Sequence, residues 1–520
     1  MRVKNTIIVK NTILFFLILS ALIPTPLIRA DPGWLTGWEH RTKITIDSCD
    51  VDTALTDFPI LIYLSDSSGI NGEDITFVFD EVGANSLKIA VTLSDGTTEC
   101  YVEVDKWDLG NLEAWLWAKI ASISNITDTE IYLYYDVDQA DNTDKVGPPN
   151  SIPAENVWDA NFKFISHMKD DPGTSNIRDS TTNDIDGTKK EDGQPAVTTL
   201  GIIDDAQYFD GSDDYVSFPS TIFEADLTGT IEAWFKQDIG GISDSIFYGS
   251  DEATNANYIG TRVTLDGKIR IEIRITTGYK FIKDTISTAF DDANWHYVAF
   301  VQNGIFPLVY VDGILEATTD VIGPSDVTAW FDDIGAILDN VALGVLFAST
   351  KYALFDGIID EVHISDMARS ESWIEVTYEN GIDGLLDFGP EEKERLESPA
   401  YLFGAGFNAS APYVILRWAS NLTDINFFEI QNSTDKISWD YLGQSTTNQY
   451  TDLQVINGLE RFYRIRACNY TEGAWDNSTF TDINFEKVYF VSGGGGLFPG
   501  LAIGISLLII GAIYALEKRR

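Results

Sequence analysis

Apolar and polar positions alternate with a period of two through most of this chain. Over residues 268–276, Ile269, Ile271, Ile273 and Ile275 alternate with Arg270, Glu272 and Arg274. That pattern puts the isoleucines on one face of a strand and the charges, Glu272 among them, on the solvent face. Residues 40–47 alternate likewise, with Thr42, Ile44 and Ile46 on one side, and 114–120 and 131–135 predict further strands. Residues 58–64 are a compact apolar run, and 295–301 are apolar on both faces, as a central strand would be. Val309, Tyr310 and Val311 run into Asp312-Gly313, a strand entering a hairpin turn. Helical periodicity is nearly absent between the two ends; residues 370–378 predict the one soluble helix, with Ser370 as N-cap. The fold class these patterns predict is all-β, in tandem β-sandwich or jelly-roll domains.

The two ends break the pattern. Arg2, Lys4 and Lys10 precede an apolar run that Pro24 and Pro26 terminate, and Ala30 supplies a small residue. This order predicts a secretory signal peptide over 1–30. Residues 497–516 carry no charge, and at about 1.5 Å per residue they are long enough to span a bilayer as a transmembrane helix. A glycine hinge at 491–496 precedes that segment, and the basic residues Lys518, Arg519 and Arg520 in 517–520 belong on the cytoplasmic side. Both ends predict one topology: a cell-surface protein held by a single C-terminal helix, its bulk extracytoplasmic. Between them, a polar stretch containing Gly147, Pro148 and Pro149 and a charged stretch after Pro390 divide the body into domains over 31–145, 150–392 and 398–490.

Charge and scarce residues narrow the function. Lys and Arg number 35 against 80 Asp and Glu, a net charge of −45. Such a field repels nucleic acid and anionic headgroups and favours divalent cations. The three cysteines are Cys49, Cys100 and Cys468; export permits a Cys49–Cys100 disulfide, leaving Cys468 over. The four histidines, His40, His167, His296 and His363, form no zinc spacing with another ligand. Glycosylation sequons stand at Asn125, Asn408, Asn421, Asn432, Asn469 and Asn477, crowded toward the membrane end as on a glycan-coated stalk.

Several motif sets resemble known families. Trp38 with Arg41, Phe58-Pro59, Asp74-Ile75-Thr76-Phe77, Glu103-Val104-Asp105-Lys106-Trp107 and Ala114-Trp115-Leu116-Trp117 resemble a family of unknown function. That family often precedes LamG-like modules in secreted archaeal and bacterial proteins, and the resemblance implies a β-sandwich without assigned chemistry. Phe209-Asp210-Gly211, Ile231-Glu232-Ala233-Trp234, Trp295-His296-Tyr297, Tyr310-Val311-Asp312-Gly313 and Ile358-Ile359-Asp360-Glu361-Val362 resemble a concanavalin A-like LamG jelly roll, which implies two packed antiparallel sheets. Leu416-Arg417-Trp418, Trp439-Asp440-Tyr441-Leu442 and Tyr463-Arg464-Ile465 are similar to a fibronectin type III domain, although Arg461 occupies the tyrosine-corner position. The last segment resembles archaeal sorting signals, with the order Phe498-Pro499-Gly500 departing from the familiar one.

Candidate chemistry is sparse, and no catalytic residue emerges. Retaining glycosidases need two carboxylates about 5–5.5 Å apart. The jelly roll holds no Glu-x-Asp-x-Glu, and the adjacent Asp360 and Glu361 would point to opposite faces of a strand. Calcium suits the oxygen-rich loop 179–186. The LamG resemblance implies one structural calcium held by Asp179, Asp184 and Asp360. Trp330 and Phe331, beside Asp332 and Asp333, and Tyr248 and Tyr258, flanking a polar loop, are candidate carbohydrate platforms. These features predict a surface adhesin or envelope protein whose LamG-like domain recognises a glycan or an envelope protein, with no nucleic-acid partner. A secreted carbohydrate-active hydrolase with a divergent site and a purely structural envelope subunit are the alternatives.

Overall fold

The computed structural model describes residues 33–393 apart from 171–175, 191–193, 239–243 and 348, and beyond them strand segments between 401 and 483. The segments expected as signal peptide (1–30), glycine hinge (491–496) and membrane helix (497–516) lie outside the described residues. Among those described, no helix is long and apolar enough to cross a membrane. The chain divides into two compact units, one ending at Lys393 and one beginning at Glu394. Strand counts below are of described residues.

The first unit opens with a β-sandwich. One sheet has the order Leu386–Lys393, His40–Ile46, Thr129–Tyr135, Ile89–Thr92; the other has Leu55–Leu64, Glu113–Ile123, Val102–Asp108, Val146–Gly147. Ile44, Ile46, Ile131 and Leu133 from the first and Ile60, Ile62, Leu116 and Ala118 from the second meet in one core. The alternation seen in 40–47 thus does what its period implies. On the outward face, the Arg41 guanidinium lies 4.0 Å from the centre of the Tyr132 ring and 4.2 Å from that of Trp34. It also donates to Glu392 Oε2 at 2.7 Å, so the Trp38/Arg41 motif is packing chemistry.

This sandwich is closed by distant chain. Strand Leu386–Lys393, which pattern alone assigns to the end of the jelly roll, pairs antiparallel with His40–Ile46, with Ile46 opposite Leu386 and Ile44 opposite Phe388. The jelly roll is therefore inserted between strands of the first sandwich. Pro59 sits in the edge strand Leu55–Leu64, where a missing N–H costs no ladder bond. Helix Glu371–Gly381 starts as the sequence predicts, with Ser370 Oγ accepting from the Trp373 N–H.

The jelly roll packs a nine-stranded sheet against an eight-stranded one. Ile269, Ile271 and Ile273 point inward, as do Ile231, Ala233 and Phe235 of strand Gly229–Gln237. Strand His296–Gln302 lies between Gly229–Gln237 and Pro307–Val311, a central position. Val311 pairs with Ile314 across Asp312-Gly313, both at positive φ (51° and 77°), as a type I′ hairpin requires.

The second unit has a three-stranded sheet (Tyr401–Leu402, Val414–Ala419, Gln449–Asp452) and a five-stranded one centred on Phe427–Ser433 and Phe462–Thr471. Leu416, Phe428, Ile430 and Ile465 are buried. A tyrosine does tie the late strand back: Tyr463 Oη donates to Asp452 Oδ2 at 2.9 Å, two residues beyond Arg461.

The Cys49–Cys100 disulfide does not form; all three cysteines are free. Cys49 lies past the Ile46 end of its strand, where Ile46 faces Thr129, whereas the Cys100 N–H bonds to Val91, which faces Leu133. Four residues of strand, about 13 Å at roughly 3.3 Å each, separate those positions, beyond the roughly 4.4–6.8 Å Cα span a disulfide allows.

Candidate functional site: a tyrosine face and a buried charged junction

The eight-stranded sheet has its outward face covered. Trp234 stacks on Tyr378 of the helix at 5.5 Å between ring centres, and Tyr297 Oη donates to Glu232 Oε1 at 2.6 Å beneath it. Beside them, Trp117 of the first sandwich stacks on His167 at 5.6 Å. Trp234, Tyr297, Tyr310 and Trp373 share a continuous apolar core with the first sandwich. This face is occupied by intramolecular packing.

The outward face of the nine-stranded sheet is different. Tyr258 of strand Tyr258–Val263 and Tyr279 of strand Gly278–Thr285 lie edge to face at 6.4 Å, their hydroxyls 3.2 Å apart. Tyr352, on the small hairpin pairing Leu346–Phe347 with Lys351–Tyr352, packs into the same group. Arg274 lies over the Tyr279 ring at 5.1 Å and donates to the Asn255 carbonyl at 2.6 Å. Asn255 Oδ1 accepts from Ser349 Oγ at 2.6 Å and also from the Tyr352 hydroxyl. Tyr279, Tyr352 and Arg274 are half-buried and Asn255 is exposed. Rings and polar tips therefore meet solvent together.

Beneath this surface lies a carboxylate that the alternation places wrongly. Glu272 does face away from the isoleucine core, but it is only 1% exposed. It accepts from Tyr248 Oη at 2.6 Å and pairs with Arg262 at 3.1 Å. Burial and the Glu272 charge together hold the Tyr248 hydroxyl far above its ordinary pKa. Tyr248 is wholly buried and supports the platform from below; Tyr258 is 7% exposed and forms its floor. Trp330 and Phe331 are not platform residues. Both are 1% exposed, Trp330 packing on Phe300 at 4.9 Å and Phe331 on Phe223 at 5.5 Å. Their loop position misled because a short 3-10 turn, Phe331–Asp333, folds both rings into the space between the sheets.

A second concentration of polar groups is buried where the first sandwich meets the jelly roll. Glu103 and Asp105 come from strand Val102–Asp108, His167 follows strand Phe162–Ser166, and Asp360, Glu361 and His363 come from strand Asp356–Ser365. Glu103 is fully engaged, accepting from Trp158 Nε1 at 2.7 Å and Ser180 Oγ at 2.8 Å. His167 Nδ1 stands 3.0 Å from both Glu361 oxygens, and His363 Nε2 stands 3.1 Å from Oε2. Burial pushes the Glu361 carboxyl up, but the two imidazoles outweigh it and hold it down at about 2. Asp105 is lifted above the usual carboxylate range, burial outweighing Lys169. Lys169 bridges Asp105 at 2.8 Å and Asp204 at 2.6 Å. A cavity of about 230 Å³ opens here, lined by Asp105, His167, Lys169, Asp170, Arg178 and Ser180. A strand-period signal for this cluster was present in the sequence, since Glu103-x-Asp105 puts two carboxylates on one face of a strand.

Residues 210–375 match the Laminin_G_3 family model, the concanavalin A-like lectin/glucanases superfamily. That segment is a concanavalin A-like domain. No curated protein matches the chain. Among solved structures, the chain is similar to domain 4 of AbnA, a GH43 extracellular arabinanase from Geobacillus stearothermophilus, in complex with arabinotriose. The identity is 20%, over 38% of this chain and 90% of that one, with a TM-score of 0.30. It is also similar to the CBM40 of Ruminococcus gnavus IT-sialidase bound to α2,3-sialyllactose, at 18% identity over 30% and 84% of the two chains and a TM-score of 0.27. A third is the NanB sialidase from Streptococcus pneumoniae, at 14% identity over 55% and 40% and a TM-score of 0.27.

The calcium expectation finds no gathered donor set at its three residues. Within and beside the concanavalin A-like domain, Asp179 accepts from the N–H groups of Ile165, Thr181 and Ile185 and from Thr181 Oγ1. Asp360 accepts from the N–H groups of Ile202, Ile203 and Glu361. These carboxylates organise loops, while Asp184 is exposed. Among the described residues, the triples whose ligand atoms lie within 4.8 Å of one another are Asp105–His167–Glu361 and Asp210–Asp213–Asp214. Of the sequons, Asn125 is exposed with Nδ2 donating to the Asp52 carbonyl, and Asn432 is half-buried in its strand. Asn469 and Asn477 lie in strands, with side chains outside the description, and Asn408 and Asn421 lie outside the described residues.

Proposed function

We propose that this protein is a cell-surface glycan-binding protein whose concanavalin A-like domain recognises carbohydrate on the outward face of its nine-stranded sheet. The carrying observation is the half-buried group Tyr279, Tyr352 and Arg274 beside exposed Asn255. Such rings offer apolar faces for a pyranose while their hydroxyls, the guanidinium and the amide bond its substituents. The opposite sheet is covered by the protein's own helix and first sandwich, so the tyrosine face is the broad sheet surface left for a ligand. The signal peptide, the helix over 497–516 and a fibronectin-like spacer complete the proposal as export, membrane anchor and stalk. An envelope polysaccharide or glycoprotein is then the partner.

A screen of the full-length protein against neutral polysaccharides tests this reading. Binding by the wild type that is lost in Tyr279→Ala and Tyr352→Ala is the expected result; wild-type protein that binds no glycan overturns it. One observation favours the hydrolase reading instead, the approach of Asp105 and Glu361, two carboxyls whose surroundings shift them in opposite directions, burial raising Asp105 and the imidazoles lowering Glu361. Its signature is release of reducing sugar that disappears in Glu361→Gln.

A further inference from the structure

We propose that Asp105, His167 and Glu361 bind a divalent transition-metal ion that links the first sandwich to the concanavalin A-like domain. One ligand atom from each residue lies within 4.8 Å of the other two. Donors around a tetrahedral ion with bonds of about 2.0–2.2 Å stand about 3.4 Å apart, so closure requires only a small inward movement of side chains.

The state of these atoms points the same way. Asp105 Oδ2 is buried and has no hydrogen-bond partner. His167 Nε2, on the other side of the ring from Glu361, has Glu103 Oε1 at 3.6 Å. Buried polar atoms are ordinarily paired, and those left over mark a missing partner. Asp105 Oδ1 has Lys169 Nζ at 2.8 Å, and Lys169 keeps Asp204, at 2.6 Å, when the ion takes Asp105. His167 Nδ1 already faces both Glu361 oxygens at 3.0 Å, so the ion is shared by this nitrogen, Glu361 and Asp105, and Glu103, on the Nε2 side of the ring, is the acidic neighbour that orients the imidazole.

The donor set selects the ion. One imidazole nitrogen with two carboxylate oxygens suits zinc or manganese, whereas calcium calls for about six to eight oxygens. Asp105 and His167 also line the cavity, together with Ser180. The ligands come from positions 105, 167 and 361, two of them in the jelly-roll part and one in the first sandwich. Binding thus fastens the junction that packing already forms.

The experiment uses full-length protein stripped by chelation and dialysed against Zn²⁺, with Mn²⁺ in parallel. The expected result is a single bound equivalent of one of the two ions, a higher melting temperature, and at least about tenfold weaker binding in Asp105→Asn. Binding of neither ion by the wild type, or unchanged binding in Asp105→Asn, overturns the proposal. Should Asp105→Asn not fold, Co²⁺ titration of the wild type decides. Visible bands of a low-symmetry site with nitrogen ligation support it, and a spectrum indistinguishable from aqueous Co²⁺ refutes it.

Discussion

The side-chain amide of Asn380 behaves as a missing strand for Leu61: the Leu61 N–H donates to Oδ1 at 2.7 Å and Nδ2 donates to the Leu61 carbonyl at 2.8 Å. The two residues are 319 apart in sequence, and both are buried. Strand Leu55–Leu64 is an edge, and an open edge with Ile60, Ile62 and Leu64 behind it would invite a foreign strand. Asn380→Ala strands both backbone groups and is expected to cost about 2–3 kcal/mol, read as a lower denaturant midpoint. A midpoint equal to the wild type's would show that the amide contributes nothing.

Because Leu386–Lys393 is a strand of the first sandwich, a fragment comprising residues 31–145 lacks one edge of its sheet. It is expected to give a poorly dispersed amide spectrum and no cooperative melt. Adding residues 383–393 as a peptide should restore dispersion; a fragment that melts cooperatively by itself would contradict the insertion.

The pH dependence of stability has an identifiable contributor in Asp244. Burial, with Asp356 nearby, pushes its carboxyl up to about 7, and its Oδ1 has no hydrogen-bond partner. The folded state therefore holds a proton that the unfolded chain, titrating near the ordinary carboxylate value of about 4, releases earlier. Stability from this group is full below pH about 4 and lost as pH rises through about 7. Asp244→Asn removes the loss, so its melting temperature is expected to gain on the wild type between pH 5 and pH 8. A difference that stays constant across that range would remove Asp244 as the cause.

Thiol labelling separates the cysteines. Cys49 is exposed, whereas Cys100 and Cys468 are buried and the Cys100 thiol is pushed up to about 12, mainly by burial. Native protein is expected to take one maleimide quickly and two more only in denaturant. A native protein that labels only after reduction would establish the disulfide the structure lacks.

The strand pattern, the Ser370-capped helix, the Asp312-Gly313 hairpin and a concanavalin A-like domain, read over 150–392 and matched over 210–375, were legible in the sequence. Each depends on neighbours a few residues apart, or on motifs that sample one local conformation at a time. The nature of Glu272 was half legible. Period two put it on the outward face, but only the Tyr248 hydroxyl and the Arg262 guanidinium decide that Glu272 itself is covered there.

What the sequence determined by itself is which side chains share a face of a strand, because backbone pleating imposes that locally. What lies across from each face is set by tertiary structure. Trp330 and Phe331 became core, strand Leu386–Lys393 joined a sheet begun at His40, and Asp105 met His167 and Glu361. Those pairings join positions tens to hundreds of residues apart. They are chosen by how sheets bury their apolar faces against one another, a competition in which spacing along the chain carries no vote.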